Sequence, residues 1–477
     1  MTDVTKPMTA PAPDTTRVSS ESRAAELVEL VELVEIVEII RATIFHVPAN
    51  PFTDATALRA HRDGGLLIRN GRVEAADDYA IVRALAPDVP VTDWRGGILL
   101  PGLVDTHVHF PQVRIIGRMG RSLLDWLSMC ALPEEASMAD VDYARETARL
   151  FVHLLASHGT TTALVFGAHF APATAALFEE GQAGGLRIIS GLVFSDRHLR
   201  PELHQSATDA YRDASDLIRR FHGRGRLLYA VTPRFALSTS DAMLEMCQSL
   251  RREYRGLRVQ THLNEQLDEV AAVRQLFPWA VDYLDVYRRY DLDGPHAVMA
   301  HNVQTTDREL DQLASAGTSV AHCPCSNAAL GSGIFPFQRH LTAGVRCALG
   351  TDVGAGTGFG LLKEGLQASL MQRVVPDGIP LGPGHLLYLS TRAGAEAVGL
   401  AETIGDFSPG KAADFVYLRP ERESALGVAV DRADDLDGTL AAVFTLGDQA
   451  SIREVRVDGN TVFRRHGQPE VEDEAAV

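Results

Sequence analysis

Eight short apolar runs, rich in β-branched residues, recur through the middle of the chain: "ILLPGLVDTHVHF", "TTTALVF", "RIISGLVF", "LLYAVTPRF", "RVQTHL", "HAVMAHN", "SVAHCP" and "RCALGTD". Helix-length stretches such as "DAMLEMCQSLRREYRG" and "TDRELDQLASAG" separate most of them. Strands that alternate with helices build parallel sheets, and eight such units close into a (β/α)8 barrel. The pattern predicts an α/β protein with a TIM-like barrel over residues 98–404. It also predicts where chemistry sits, because barrels of this kind carry it at the C-terminal ends of their strands.

The flanks read differently. From residue 37 to 97, short strands and turns dominate, with Asn70-Gly71 as a hairpin signal. Residues 405–465 repeat that style in "FVYLRP" and "IREVRVDGNTVFRR", the second broken at Asp458-Gly459. Both segments are expected to join in one small β-sandwich domain built from the two ends of the chain. Residues 1–36 open with a Thr-, Ser- and Pro-rich stretch and continue into "ELVELVELVEIVEII", whose glutamate at every third position matches neither a helix nor a strand. They read as a disordered or low-complexity extension, with a packing helix as the alternative, and 466–477 as a tail.

Bulk composition narrows the partners. Of 477 residues, 45% are apolar, which suits a globular enzyme. A net charge of −17 argues against nucleic acid or an anionic membrane as the main partner. No stretch approaches a membrane span, and the first residues lack a secretory pattern. Five cysteines without CxxC spacing fit a reducing, cytoplasmic compartment.

Polar residues that interrupt an apolar strand at its far end need a reason. The first run ends in His107 and His109, which strand alternation sends to one face. The fifth ends in His262, with Glu265 just beyond; the sixth ends in His301; the eighth ends in Asp352. His107, His109, His262 and Asp352 would make a three-nitrogen, one-oxygen shell for Zn2+, and iron would also accept it. A bound metal acidifies water, which still needs a proton acceptor. Glu265 is placed to be that general acid/base, and His301 to orient the water or polarise the bond under attack. A second metal in such a barrel usually needs a carboxylated lysine on a middle strand. The chain has only Lys6, Lys363 and Lys411, none of them there, so one ion per subunit is expected. "GTDVGAGTGFG" fails the GxGxxG spacing and reads as a loop that needs small residues near a ligand. His322 in "AHCPCSN" would overfill the ion and reads as structural, with Cys323 and Cys325 in the core.

In this order, "PGLVDTHVHFPQ", "THLNE", "MAHN", "HCPCSN" and "GTDVGAG" resemble the amidohydrolase superfamily, in its mononuclear deaminase branch, and "SPGKAADFVYL" is similar to that family's return into its terminal sheet. The resemblance spans residues 37 to 465. "HFPQ", "VTPRFALS" and "SLLDWL" are similar to the members that act on guanine. The resemblance implies hydrolytic deamination of guanine to xanthine and ammonia, a metal centre of zinc type and a homodimer. It implies that Gln112, Arg234 and Phe235 hold the base, with His109, His262, Glu265 and Asp352 also touching it, and that Glu265, His301 and Asp352 carry the chemistry. An arginine fork suits the O6 and N7 acceptors of guanine, with a structural salt bridge as the alternative role for Arg234. The alternative activity is deamination of a related heterocycle on the same site: 8-oxoguanine, a pterin or an s-triazine.

Overall fold

The computed structural model describes residues 1–2 and 35–465. The tail expected at 466–477, Lys6 and most of the expected N-terminal extension lie outside the described residues. Four strands come first: β1 (Val37–His46), β2 (Arg59–Arg69), β3 (Arg72–Asp78) and β4 (Val91–Pro101). The central series is β5 (Leu103–His109), β6 (Thr160–Phe166), β7 (Arg187–Gly191) with its two-residue continuation β8 (Val193–Phe194), β9 (Leu227–Pro233), β10 (Arg258–Leu263), β11 (Ala297–His301), β12 (Ser319–His322) and β13 (Arg346–Leu349). The last three are β14 (Phe415–Leu418), β15 (Ile452–Val457) and β16 (Asn460–Arg464).

The central strands pair in parallel in the order β5-β6-β7-β9-β10-β11-β12-β13, with β8 on β9. All eight expected runs contribute to this barrel. Every residue of β5, β6 and β7 is buried, which is why these runs show no alternation with a solvent-facing polar side. The seam between β5 and β13 is tied where the strands end. The Asp352 amide donates to the His107 carbonyl (2.8 Å) and the His109 amide to the Val353 carbonyl (2.9 Å). The buried Asp105 carboxylate accepts from the Thr351 amide (3.0 Å) and hydroxyl (2.6 Å). Gly350 is required at this seam: a Cβ there would sit 2.8 Å from His107 Cβ and 2.9 Å from its amide nitrogen.

The quoted helical stretches form Asp241–Glu253 and Asp307–Ala316. Ser240 caps the first, and a Thr306/Glu309 capping box starts the second before Gly317 ends it in a left-handed conformation.

The remaining strands form one hydrogen-bonded order, β16-β15-β14-β4-β1-β2-β3, so segments from both ends of the described chain share a sheet. Alternation along β1 sends Ile40, Ala42 and Ile44 to a cluster with Leu99 and Phe415, and Ile39 to the opposite face against Val82 of helix Tyr79–Leu85. The two Xaa-Gly turns meet: Asn70-Gly71 and Asp458-Gly459 all have positive φ, and a Cβ on Gly71 would lie 2.3 Å from the Asp458 carbonyl oxygen. Arg187, opening β7, pairs with Asp414 (2.8 Å) and Asp458 (2.5 Å) and fastens this sheet to the barrel. Segment 405–465 is not strands alone. Helices Ala425–Asp431 and Leu436–Leu446 intervene between β14 and β15, and the second packs on barrel helices Leu361–Arg373 and Pro383–Ser390.

Candidate active site

Four side chains from three strand ends converge. Alternation on β5 places His107 Nε2 and His109 Nε2 3.3 Å apart. His262, near the end of β10, brings its Nε2 to 3.3 Å from that of His109. Asp352, just past β13, sets Oδ1 3.3 Å from His107 Nε2 and 3.2 Å from His109 Nε2. All four are buried. Burial pushes the His107 imidazole down to about 3 and His262 well below its usual range, with neighbouring imidazoles adding to the effect on both. These rings are therefore neutral. His262 Nδ1 donates to the Arg234 carbonyl (2.6 Å), which leaves its Nε2 lone pair facing the cluster. Converging lone pairs and a carboxylate in a dry site are costly without a cation. Ligand bonds of about 2.0–2.1 Å in a tetrahedral shell put donor atoms roughly 3.4 Å apart. The observed spacing and the N3O donor set fit one divalent ion.

His301 stands beside this group. Its Nε2 lies 3.9 Å from Asp352 Oδ2 and 3.6 Å from Glu265 Oε2. The ligand atoms of His107, His262, His301 and Asp352 also fall within 4.8 Å of one another, but His109 makes the shorter approaches and belongs to the tight set. Asn327 Oδ1 receives His301 Nδ1 (2.9 Å), and His301 Nε2 finds no hydrogen-bond partner among the described residues. Glu265 Oε1 accepts from the Ser332 hydroxyl (3.0 Å). Burial, then the nearby Asp352, pushes the Glu265 carboxyl up to about 8. Burial also acts to raise Asp352, but the adjacent His107 and His109 outweigh it and hold that carboxyl well below the usual range. Neighbouring carboxyls driven apart in this way suit one fixed anion and one proton carrier.

A narrow cavity of about 20 Å³ lies over the cluster. Leu123, Trp126, Leu127, Phe235 and Leu330 give it apolar walls, and Gln112, Arg234 and Glu265 are among its polar lining. The Phe235 ring stands 6.1 Å from that of His262. Gln112 sits on the 3-10 turn Phe110–Ile115 just after β5. Its Oε1 accepts from the Gly354 amide (3.0 Å), and a Cβ at Gly354 would come within 2.4 Å of the Gln112 carbonyl oxygen. That contact explains why the loop after Asp352 needs small residues. Arg234 both lines the cavity and forms a buried salt bridge, Nη1 to Glu135 Oε2 at 2.6 Å.

Several neighbours escaped sequence reasoning. Glu135, on helix Leu132–Ser137, contacts Gln112 and Arg234. Phe166, closing β6, packs its ring 5.0, 4.5 and 4.6 Å from those of His107, His109 and His262. Ser326 donates to Asp352 Oδ2 (2.6 Å). Phe166 was findable as the last residue of a barrel strand, whereas Glu135 sits in an acidic helical stretch with nothing to distinguish it. The residues set aside as ligands have other roles. His322 is buried with its ring 4.3 Å from Phe335, and Cys323 and Cys325 are buried. Lys363 is on helix Leu361–Arg373, and Lys411 pairs with Asp406.

Residues 98–462 match the Amidohydrolase family. The chain is similar to a probable guanine deaminase of Deinococcus radiodurans, 52% identical over 434 residues that cover 90% of this chain and 99% of that one. It is similar to the guanine deaminase of Escherichia coli, 40% identical over 418 residues, 87% of this chain and 95% of the relative. The solved structure of the E. coli guanine deaminase superposes with a TM-score of 0.85, covering 90% of this chain and all (100%) of that one at 38% identity. A guanine deaminase of C. acetobutylicum, solved with bound guanine in the active site, superposes at 0.83 with 26% identity, over 90% and 100% of the two chains. With the barrel, the cluster and these relatives together, the chain belongs to the amidohydrolase family, among its guanine deaminases.

Proposed function

We propose that the protein hydrolyses guanine to xanthine and ammonia, with one divalent cation held by His107, His109, His262 and Asp352. The observation that carries this is the 3.2–3.3 Å spacing of those donor atoms directly under a cavity lined by Gln112, Arg234 and Glu265. The names of the relatives and the guanine bound in the C. acetobutylicum enzyme support the choice of substrate. When bound, the cation supplies the acidity that makes water nucleophilic near neutral pH. Zinc suits the donor set best, and iron would be accepted.

Arg234 presents donors to the O6 and N7 edge of the base, Gln112 meets the neighbouring ring groups, and Phe235 covers a face. His109, His262 and Asp352, with Glu265, bound the reacting side. Glu265 takes a proton from water as its oxygen bonds to C2 and delivers that proton to N3. His301 and Asp352 steady the added oxygen in the tetrahedral intermediate. The C2–N bond then breaks, and the second proton leaves with the amine as ammonia. The reading is completed by a cytoplasmic homodimer: the five buried free cysteines suit a reducing compartment, and the dimer rests on the family resemblance.

Ammonia release from guanine, 8-oxoguanine, a pterin and an s-triazine tests this directly. Guanine is expected to be turned over fastest, with xanthine as product. Negligible guanine turnover beside a fast rival substrate would overturn it.

A further inference from the structure

Glu135 lies outside the cation cluster yet is 2% exposed. A carboxylate this buried must be paired, and two of its partners, Gln112 and Arg234, line the pocket. Arg234 Nη1 reaches both of its oxygens, at 2.7 and 2.6 Å. Gln112 Nε2 donates to Oε1 at 2.7 Å. His169 Nδ1 stands 3.5 Å from Oε2. We infer that Glu135 is a positioning residue that orients Gln112 and Arg234 toward an oxo-bearing purine edge, and so sets which heterocycles the pocket accepts.

An ionised carboxylate only accepts hydrogen bonds. Gln112 must therefore turn its amide nitrogen toward Glu135, and its oxygen falls against the Gly354 amide at 3.0 Å. The amide is fixed from both ends. The second hydrogen on Nε2 then has a determined direction, and it cannot be exchanged for an acceptor by rotating the side chain. Arg234 is fixed likewise, with Nη1 held on Glu135 and its other nitrogens left to the cavity it lines. Donors held in place suit a ring edge with two acceptors. An amino group at the oxo position would set donor against donor, which a buried site rejects strongly.

This inference rests on the guanine-deaminating reading, and the test separates the two. Glu135→Gln keeps the shape of the side chain but lets it donate as well as accept, which frees Gln112 to rotate. Guanine and 2,6-diaminopurine, which carries an amino group in place of O6, are compared in the metal-loaded full-length protein by ammonia release. The variant is expected to retain metal, but to unfold at a lower temperature, because the buried Arg234 guanidinium loses its counter-charge. Its KM for guanine should rise about tenfold or more, with kcat within about threefold, and its preference for guanine over 2,6-diaminopurine should fall about tenfold. An unchanged preference, or an equal loss in kcat on both purines, would overturn the positioning role. Wild-type protein inert toward guanine would sink the deaminase reading and this inference with it. Should Glu135→Gln fail to fold, Glu135→Asp keeps the charge beside Arg234 but shortens the reach to Gln112. It should shift the preference in the same direction by a smaller factor, and no shift would again overturn the proposal.

Discussion

Glu265 and Asp352 are buried carboxyls that their surroundings drive in opposite directions. Replacing Glu265 by Gln should leave metal content intact while lowering kcat by about 10²–10⁴-fold, as loss of a positioned acid/base does; steady-state kinetics beside metal analysis checks this. Arg234 gives a different expectation, because its guanidinium is the main counter-charge to Glu135. Arg234→Met should cost about 3–5 kcal/mol, since it strands a buried carboxylate. The double variant Arg234→Met/Glu135→Gln should recover part of that loss in denaturant unfolding. Legibility at this scale depended on contrast. His107, His109, His262 and Asp352 stood out because each interrupts an apolar strand. Glu135 did not, because its meaning lies in a partner 99 positions away and nothing local marks it.

Strands of the barrel were readable for a physical reason: burial on both faces leaves short runs rich in apolar and β-branched residues, and turn or helix signals bound them. The segment after β5 was readable only in part, through the resemblance of "HFPQ" and "SLLDWL". The 3-10 turn and the short helices from Leu123 to Ser137 have no period long enough to register, and Glu135 among them carried no mark of its role. The helical pair inside 405–465 was hidden by the strand-like text around it. The seam between β5 and β13 was equally invisible, although it sets the positions of His107, His109 and Asp352. One of its side-chain ties is the Asp105–Thr351 pair. Thr351→Val removes the hydroxyl and leaves one oxygen of a fully buried carboxylate short of a donor. A loss of about 1–3 kcal/mol is expected, visible as a lower midpoint in thermal unfolding, together with weaker metal retention. Gly71→Ala should also destabilise the fold, since the position needs positive φ and has no room beside Asp458.

The junction between barrel and terminal sheet carries its own pH signature. Asp406 is hydrogen-bonded by Lys411 Nζ (2.5 Å) and Arg392 Nη1 (2.6 Å). Burial would raise its carboxyl, but these partners hold it below the ordinary value. A depressed folded value means the contribution to stability is complete above the usual carboxylate range and is lost as pH falls through the lowered one. Unfolding of the wild type should therefore steepen on the acid side, and Asp406→Asn should flatten that limb while lowering stability at neutral pH. Chelation is the companion experiment: if the native state alone holds the ion, removing it should lower the unfolding midpoint as well as the rate, and zinc should restore both. The sheet has a further consequence for how the molecule is made. β14 lies against β4, Phe415 opposite Pro101 through Leu418 opposite Ile98. During synthesis, that flank of β4 has no mate until Leu418 has cleared the ribosome, hundreds of peptide bonds later. For most of translation the nascent chain bears a bare apolar strand border, the kind of surface that recruits chaperones and invites aggregation.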